Sequence, residues 1–405
     1  MTKIALLHYS APPIVGGVES VLGQHARLMV NAGHQVQIVA GRGEQTDPRI
    51  PFIHLPMADS RHPDVLAIKA ELDAGRVPPK FTELVDTLTA NLNEILDDVD
   101  VLFAHNVCSL NKNLALTAAV WNLASYSHPR IILWHHDLAW TTPRYRAELH
   151  DGYPWDLLRQ AWMGVMQVTI SAMRQHELAE LLQIDKDKIT MIPNGVDVAR
   201  FHKFEKQTRE YMKQLDLLHA TPLLLLPVRI TPRKNIELAL RVCANLKQNF
   251  PDIRLVVTGP LGPHNPANVK YFDRLIALRE ELGLVNSAGF LAEWTTEFIP
   301  DEVISDFYHL ADALILPSRE EGFGIPILEA GLAGLPIFCS DIPPLRSLGG
   351  AHATYFSPNV DPHELANTIV DQLSSERAFQ LRGVVRRHYT WERIYAQNIA
   401  PLLIG

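Results

Sequence analysis

Residues 313–340 read ALILPSREEGFGIPILEAGLAGLPIFCS. A short apolar run, a polar loop with glycines, a helix-patterned stretch and a second apolar run follow one another. ALILPS has no period of two, which is how a strand buried on both faces reads. Gly322 and Gly324 precede Ile325, where the spacing predicts a helix running through Leu328, Glu329 and Leu332. PIFCS, from Pro336, is again a strand. Two buried strands joined by a helix predict a parallel pair with a right-handed crossover.

The same unit recurs outward in both directions. Towards the N-terminus the apolar runs begin at Lys3, Gln35, Pro51, Asp100, Arg130, Val168 and Ile189. Between the first two, Val18, Val21, Leu22, His25, Leu28 and Met29 fall at helical spacing, and Gly33 stops that helix. After PNGVDVARFH the pattern restarts, with runs from Leu223, Ile253, Ser287, Ala313, Pro336 and Ala353. The expected fold is α/β: two doubly wound, Rossmann-like parallel-sheet domains, residues 1–190 and 191–390. Residues 391–405 read as an amphipathic helix that either completes the second domain or crosses back onto the first. Met57–Pro79 is the least regular stretch and reads as a helix-and-loop excursion, a candidate for mobility. Ligands of open parallel sheets bind at the carboxyl ends of the strands, where strand order reverses. Two such domains facing each other would line a cleft with these loops.

Composition narrows the class of protein. The 405 residues suffice for two to four domains. A hydrophobic share of 47% with 20% charged residues excludes global disorder. A net charge of −8 argues against a general nucleic-acid binder. Cys108, Cys243 and Cys339 are far apart with no CxxC, so neither a disulfide framework nor a structural zinc site is expected. The apolar run after Lys3 is too short for a signal sequence, and no apolar run approaches membrane-spanning length. A cytoplasmic location is the resulting expectation.

Two constellations carry chemistry. Glu321 and Glu329 stand in an E-x7-E spacing around the glycines and the predicted helix start. Unpaired N–H groups and the positive dipole end suit a diphosphate there. In PVRITPRKN, Arg229 and Lys234 flank a turn after a strand, where two cations can neutralise a pyrophosphate. A solvated turn is the plain alternative in each case, and Arg233 reads that way.

These residues resemble the retaining family 4 glycosyltransferases of GT-B fold. The matching motifs run in order over nearly the whole chain: Gly16, Gly17 and Glu19; His136 and Asp137; PNGVD at Pro193–Asp197; Arg229 and Lys234; VVTGP at Val256–Pro260; Glu321 and Glu329. The resemblance implies that the second domain holds a nucleoside-diphosphate sugar of GDP-mannose or UDP-glucose type. That sugar nucleotide is a donor substrate, so no cofactor and no metal are expected. Arg229 and Lys234 would bind the diphosphate, Glu329 the ribose and Glu321 the donor sugar. Backbone N–H groups of Phe323, Gly324 and Ile325 would contact sugar and phosphate, with the base near Gly259, Phe290 and Leu291. Gly17 would approach the diphosphate and the acceptor hydroxyl. His136 would orient a sugar hydroxyl or bond through its backbone carbonyl, leaving His135 as a packed histidine. Glu321, His136, Arg229 and Lys234 are the catalytic candidates.

Two features depart from the family pattern: Val228 stands where a glycine is common, and the loop TGPLGPHNPAN is long and proline-rich. The first domain would hold the acceptor. His105 and Asn106 either face it or cap their strand, Arg144 and Tyr145 are candidates to bind an acidic or sugar acceptor, and His264 and His352 read as surface residues. A lipid-linked acceptor calls for a basic face. Residues 1–170 carry 13 Lys and Arg against 17 Asp and Glu, without a basic cluster. A small sugar, glycan or polyol-acid acceptor is therefore favoured. A sugar-nucleotide epimerase, a phosphorylase and a non-catalytic sensor of the same fold are the competing readings.

Overall fold

The computed structural model describes the chain apart from residues 126–127, 262–265, 296–297 and 405. His264 therefore lies outside the described residues. The chain divides into two compact units, Met1–Gly195 with Trp391–Gly405, and Val196–Thr390.

In the first unit the strands are β1 (Lys3–Ser10), β2 (Gln35–Arg42), β3 (Phe52–His54), β4 (Val101–His105), β5 (Arg130–His135), β6 (Met166–Thr169) and β7 (Ile189–Met191). They form one parallel sheet in the order β3-β2-β1-β4-β5-β6-β7. Strand alternation sends Leu7, Leu102 and Leu133 into one core, beneath the helices Pro79–Ile95 and Leu114–Leu123. Leu6, Phe103, Ile132 and Trp134 enter the other, with the helix Gly17–Asn31. With both faces covered, no polar face is left to give the sequence a period of two. Trp391, Ile394, Ile399 and Leu403 belong to this second core, and the Arg130 guanidinium donates to the Leu402 carbonyl. Those apolar side chains share the face of the first sheet that carries the helix Gly17–Asn31.

The excursion from Met57 to Pro79 is more regular than its sequence implies. It contains the helix Pro63–Asp73, which buries Val65, Ile68 and Leu72. That narrow i, i+3, i+7 stripe is hidden in the sequence by the charged residues between its members.

The second unit contains β8 (Leu223–Leu226), β9 (Arg254–Val257), β10 (Ala288–Phe290), β11 (Ala313–Leu316), β12 (Ile337–Ser340) and β13 (Thr354–Phe356). Their order is β10-β9-β8-β11-β12-β13, again all parallel. Both sheets are doubly wound, Rossmann-like, as the alternation predicts. In each, the chain runs outward from a central strand and then returns to its other side. Connections diverge there, so a crevice opens at β1/β4 in one unit and at β8/β11 in the other.

Candidate functional site

The loop after β8 passes through Arg229 and a short 3-10 helix, Pro232–Lys234. Asn235 ends it in the left-handed region, at φ 53°, a conformation that Asn tolerates better than most residues. Its side-chain amide donates to the carbonyls of Pro317 (3.1 Å) and Pro358 (3.0 Å), and its Oδ1 accepts from Arg319 (3.1 Å). Asn235 thereby ties the β8 loop to the β11 loop. The tie holds Lys234, only 8% exposed, against Glu321, with Nζ 2.5 Å from Oε1. Ser318 Oγ donates to the same oxygen at 2.7 Å. Glu321 Oε2 accepts no hydrogen bond among the described residues. A buried ammonium is thus balanced by a buried carboxylate that keeps one oxygen free.

Arg229 is exposed and makes no ion pair among the described residues. The two cations are therefore unlike: Lys234 is buried in an ion pair, Arg229 exposed and unpaired among the described residues. Arg233 is exposed too, reaching only the Glu320 carbonyl at 3.4 Å.

Gly259 has a steric role. A Cβ there would lie 2.0 Å from the Val228 carbonyl oxygen and 2.5 Å from the Arg229 nitrogen. Ile230 N–H also donates to the Pro260 carbonyl at 3.2 Å. Close approach at this turn is between two chain segments, and Gly259 rather than residue 228 is the glycine that permits it.

After β11, Gly324 caps the helix Ile325–Leu332 at φ 107°, where a Cβ would press on Leu345. Phe323 and Ile325 beside it are both 57% exposed. Glu329, one turn into the helix, accepts from the Tyr308 hydroxyl at 2.6 Å. Burial, and then that hydrogen bond, push the Tyr308 pKa far above its ordinary value, so the phenol stays a donor. Tyr308, Ser318 and Asn235 are absent from the sequence-level site. Asn235 and Ser318 lie beside the motif residues and Tyr308 far from them, and only the tertiary fold shows what each does.

In the first unit, the helix Gly17–Asn31 opens at the β1 edge. Gly17 is exposed, with no atom within 4 Å of the place a Cβ would take, whereas a Cβ on Gly16 would strike Glu19. Glu19 accepts from Ser10 Oγ at 2.6 Å. Asn106 sits at φ 60°, and its Oδ1 accepts from the backbone N–H groups of His136 and Asp137, each at 3.0 Å. Of its two readings, this is the strand-end cap. His105 is fully buried.

His136 is not a surface histidine either. It is 6% exposed, with Nε2 3.4 Å from His105 Nδ1. Burial first, then the neighbouring histidines 25, 8 and 135, lower its pKa to about 3. It is a neutral ring at the end of a buried cluster. His8 bonds the His105 carbonyl at 2.7 Å and His135 bonds Gln167 at 2.7 Å; burial lowers each to about 4. His25, lowered to about 3 by burial, packs 4.7 Å from Trp134 and 5.3 Å from Trp391. Neither of its ring nitrogens has a partner among the described residues. His8 and His25 are further members of this cluster that no motif marks. Arg144 is exposed, with its guanidinium 4.7 Å from the Tyr145 ring centre, and His352 is exposed.

Two family models match in succession. Residues 15–200 match Glycosyltransferase Family 4, and residues 207–383 match Glycosyl transferases group 1. The chain belongs to these glycosyltransferases. This glycosyltransferase is 24% identical to the MMP alpha-(1->4)-mannosyltransferase of Mycolicibacterium hassiacum, over 98% of its own length and 97% of that protein's. It is 26% identical to the mannosylglucosylglycerate synthase of Thermotoga maritima, over 84% and 83% respectively. Among solved structures, sucrose-phosphate synthase from Thermosynechococcus elongatus aligns at 19% identity and TM-score 0.37, over 99% and 98% of the two chains. Among the described residues, no helix of the glycosyltransferase is long and apolar enough to cross a membrane. None of its described His, Cys, Asp and Glu residues group in threes so as to hold a metal.

Proposed function

We propose that this glycosyltransferase moves a hexosyl group from a nucleoside-diphosphate sugar to an acceptor hydroxyl, with retention of anomeric configuration and without a metal. The observation that carries the reading is the buried Lys234–Glu321–Ser318 cluster at the β8/β11 crevice. Lys234 is positioned for the diphosphate, and the spare oxygen of Glu321 for a hydroxyl of the donor sugar. Arg229 adds an exposed second cation, and the N-terminus of the helix Ile325–Leu332 adds N–H donors near Phe323, Gly324 and Ile325. Glu329, oriented by Tyr308, takes the ribose. Gly259 is committed to packing, so the base lies beside it rather than against it.

In the transfer, the bond from the anomeric carbon to the β-phosphate oxygen breaks while a bond to the acceptor oxygen forms. The acceptor proton passes to the departing phosphate. Negative charge grows on that phosphate, and fixed positive charge around it lowers the barrier. His136, neutral and buried, acts by orientation; Gly17, with open space over its Cα, leaves room for the reacting groups. The first unit would supply the acceptor site. Both relatives described above carry a mannosyl group in their names, so GDP-mannose is the first donor to test and UDP-glucose the second.

The test incubates purified protein with each donor, with and without candidate sugar acceptors and with and without EDTA. Expected are acceptor-dependent nucleoside diphosphate release, insensitivity to EDTA, and an α-linked product by NMR from an α-donor. Donor interconversion without acceptor would instead show an epimerase, phosphate-dependent release a phosphorylase, and binding without turnover a sensor.

A further inference from the structure

Beyond β1 and β4 the first unit carries Lys112, Arg144 and Arg146 without a carboxylate partner among the described residues, Arg146 lying 5.2 Å from the Trp140 ring centre. Lys112, half-buried, holds its Nζ 5.9 Å from the ring centre of Tyr9, and Arg144 stacks over Tyr145. The carboxylates nearby are already engaged. Glu148 bonds Lys69 at 2.9 Å and Asn111 at 2.8 Å, Asp73 bonds Lys69, and Asp137 faces Arg174 at 3.6 Å.

Lys112 and Arg144 also sit on one joined framework. Asn111, next to Lys112, grips Glu148, the last residue of the short helix Pro143–Glu148 that holds Arg144. Ala139 N–H donates to the Ser109 carbonyl at 2.8 Å, a second tie between the same loops. Tyr9 lies under the first loop, with its hydroxyl 3.4–3.5 Å from the carbonyls of Asn106, Val107 and Leu110. Tyr145 packs against the apolar cluster that includes Tyr9. Lys112, over the buried Tyr9 ring, and Arg144, over Tyr145, therefore stand on one tied loop cluster at the carboxyl edge of the sheet.

We infer that Lys112 and Arg144 bind the anionic group, phosphate or carboxylate, of a charged sugar or polyol acceptor, Lys112 braced on the buried Tyr9 ring and Arg144 on Tyr145. This rests on the transferase reading and names its acceptor class. Arg offers a planar fork to such an oxyanion and Lys a point charge. A neutral acceptor would leave both cations unmatched.

The experiment measures binding and transfer for three acceptor pairs: glucose and glucose 6-phosphate, myo-inositol and inositol 1-phosphate, glycerol and glycerate. Wild type is compared with Lys112→Met, Arg144→Gln and the conservative Lys112→Arg, and GDP and UDP binding is measured in parallel. At least one charged member should bind about 100-fold more tightly than its neutral partner, a phosphate or a carboxylate according to which arm responds. Lys112→Met and Arg144→Gln should each cut that preference roughly tenfold, and Lys112→Arg should retain most of it. Raising salt should erode the preference but not the binding of neutral members. If nucleotide binds and charged and neutral members bind alike, the anionic-acceptor inference fails alone. If neither nucleotide binds wild type, the transferase reading fails and takes this inference with it. Equal loss of acceptor and nucleotide binding in Lys112→Met would mean that Lys112 acts through the fold, and would overturn its assignment.

Discussion

Replacing Lys234 by Met separates the two things this side chain does. The substitution leaves the Glu321 carboxylate, 8% exposed at its side chain, with Ser318 as its remaining donor. Orphaning one partner of a buried pair costs about 3–5 kcal/mol. Because Ser318 still donates, the lower end, about 3 kcal/mol, is expected. The second unit spans residues 196–390, a size at which 1 kcal/mol shifts the melting temperature by about 2–4 °C. Its transition should therefore fall by roughly 6–12 °C. The double variant Lys234→Met with Glu321→Gln removes both charges, and its stability should return to within about 1 kcal/mol of wild type. Diphosphate affinity should behave differently. It loses a charge-assisted contact of about 1.5–3 kcal/mol in both variants, a weakening of roughly 10- to 150-fold. Thermal unfolding and titration calorimetry with GDP and UDP read the two quantities side by side. A single variant that melts with wild type would show that the pair is not a desolvated one. A double variant that keeps full nucleotide affinity would remove Lys234 from the diphosphate site.

Four further outcomes follow from local geometry and burial. Gly259→Ala, with its Cβ 2.0 Å from the Val228 oxygen, should destabilise the second unit by about 2 kcal/mol or more. Gly17→Ala should instead leave stability within about 0.5 kcal/mol and slow transfer at least tenfold; melting curves and initial rates compare the two, and a fully active Gly17→Ala would exclude Gly17 from the reacting groups. Tyr308→Phe, which frees the Glu329 carboxylate, should raise the donor KM with little change in kcat; an unchanged KM would detach Glu329 from donor binding. The first unit should be acid-sensitive, because the folded pKa values of His8, His25, His135 and His136 lie at about 3 to 4, below the ordinary 6.5. Unfolded chains then bind more protons below pH 6.5. Stability is full above that pH and falls with acid at roughly 1.4 kcal/mol per pH unit for each histidine, until the folded pKa is reached. Urea unfolding followed at pH 7 and pH 5 checks this, and an identical midpoint for the first unit at both would refute it.

Much was open to reading along the chain, because buried parallel strands announce themselves as Val, Ile and Leu runs between helical stretches. The runs from Lys3 to Ala353 locate all thirteen strands described here. The E-x7-E and R-x4-K motifs each read as the loop at a strand's carboxyl end, and local order alone fixes that. Which strands become neighbours is a long-range matter: β8 lies beside β11 only after the chain has gone out through β9 and β10. That adjacency turns Lys234 and Glu321, separate motifs in sequence, into a buried ion pair. It also decides which ordinary residues serve the site: Asn235 as the tie, Ser318 as the second donor, Tyr308 as the orienting phenol. The histidines show the same division. Spacing placed His25 on the apolar face of its helix, yet only packing gathers it with His105 and Trp134 and strips His136 of water. Residue types and their periods set the elements; burial and charge pairing, which depend on distant segments meeting, set what each polar side chain can do.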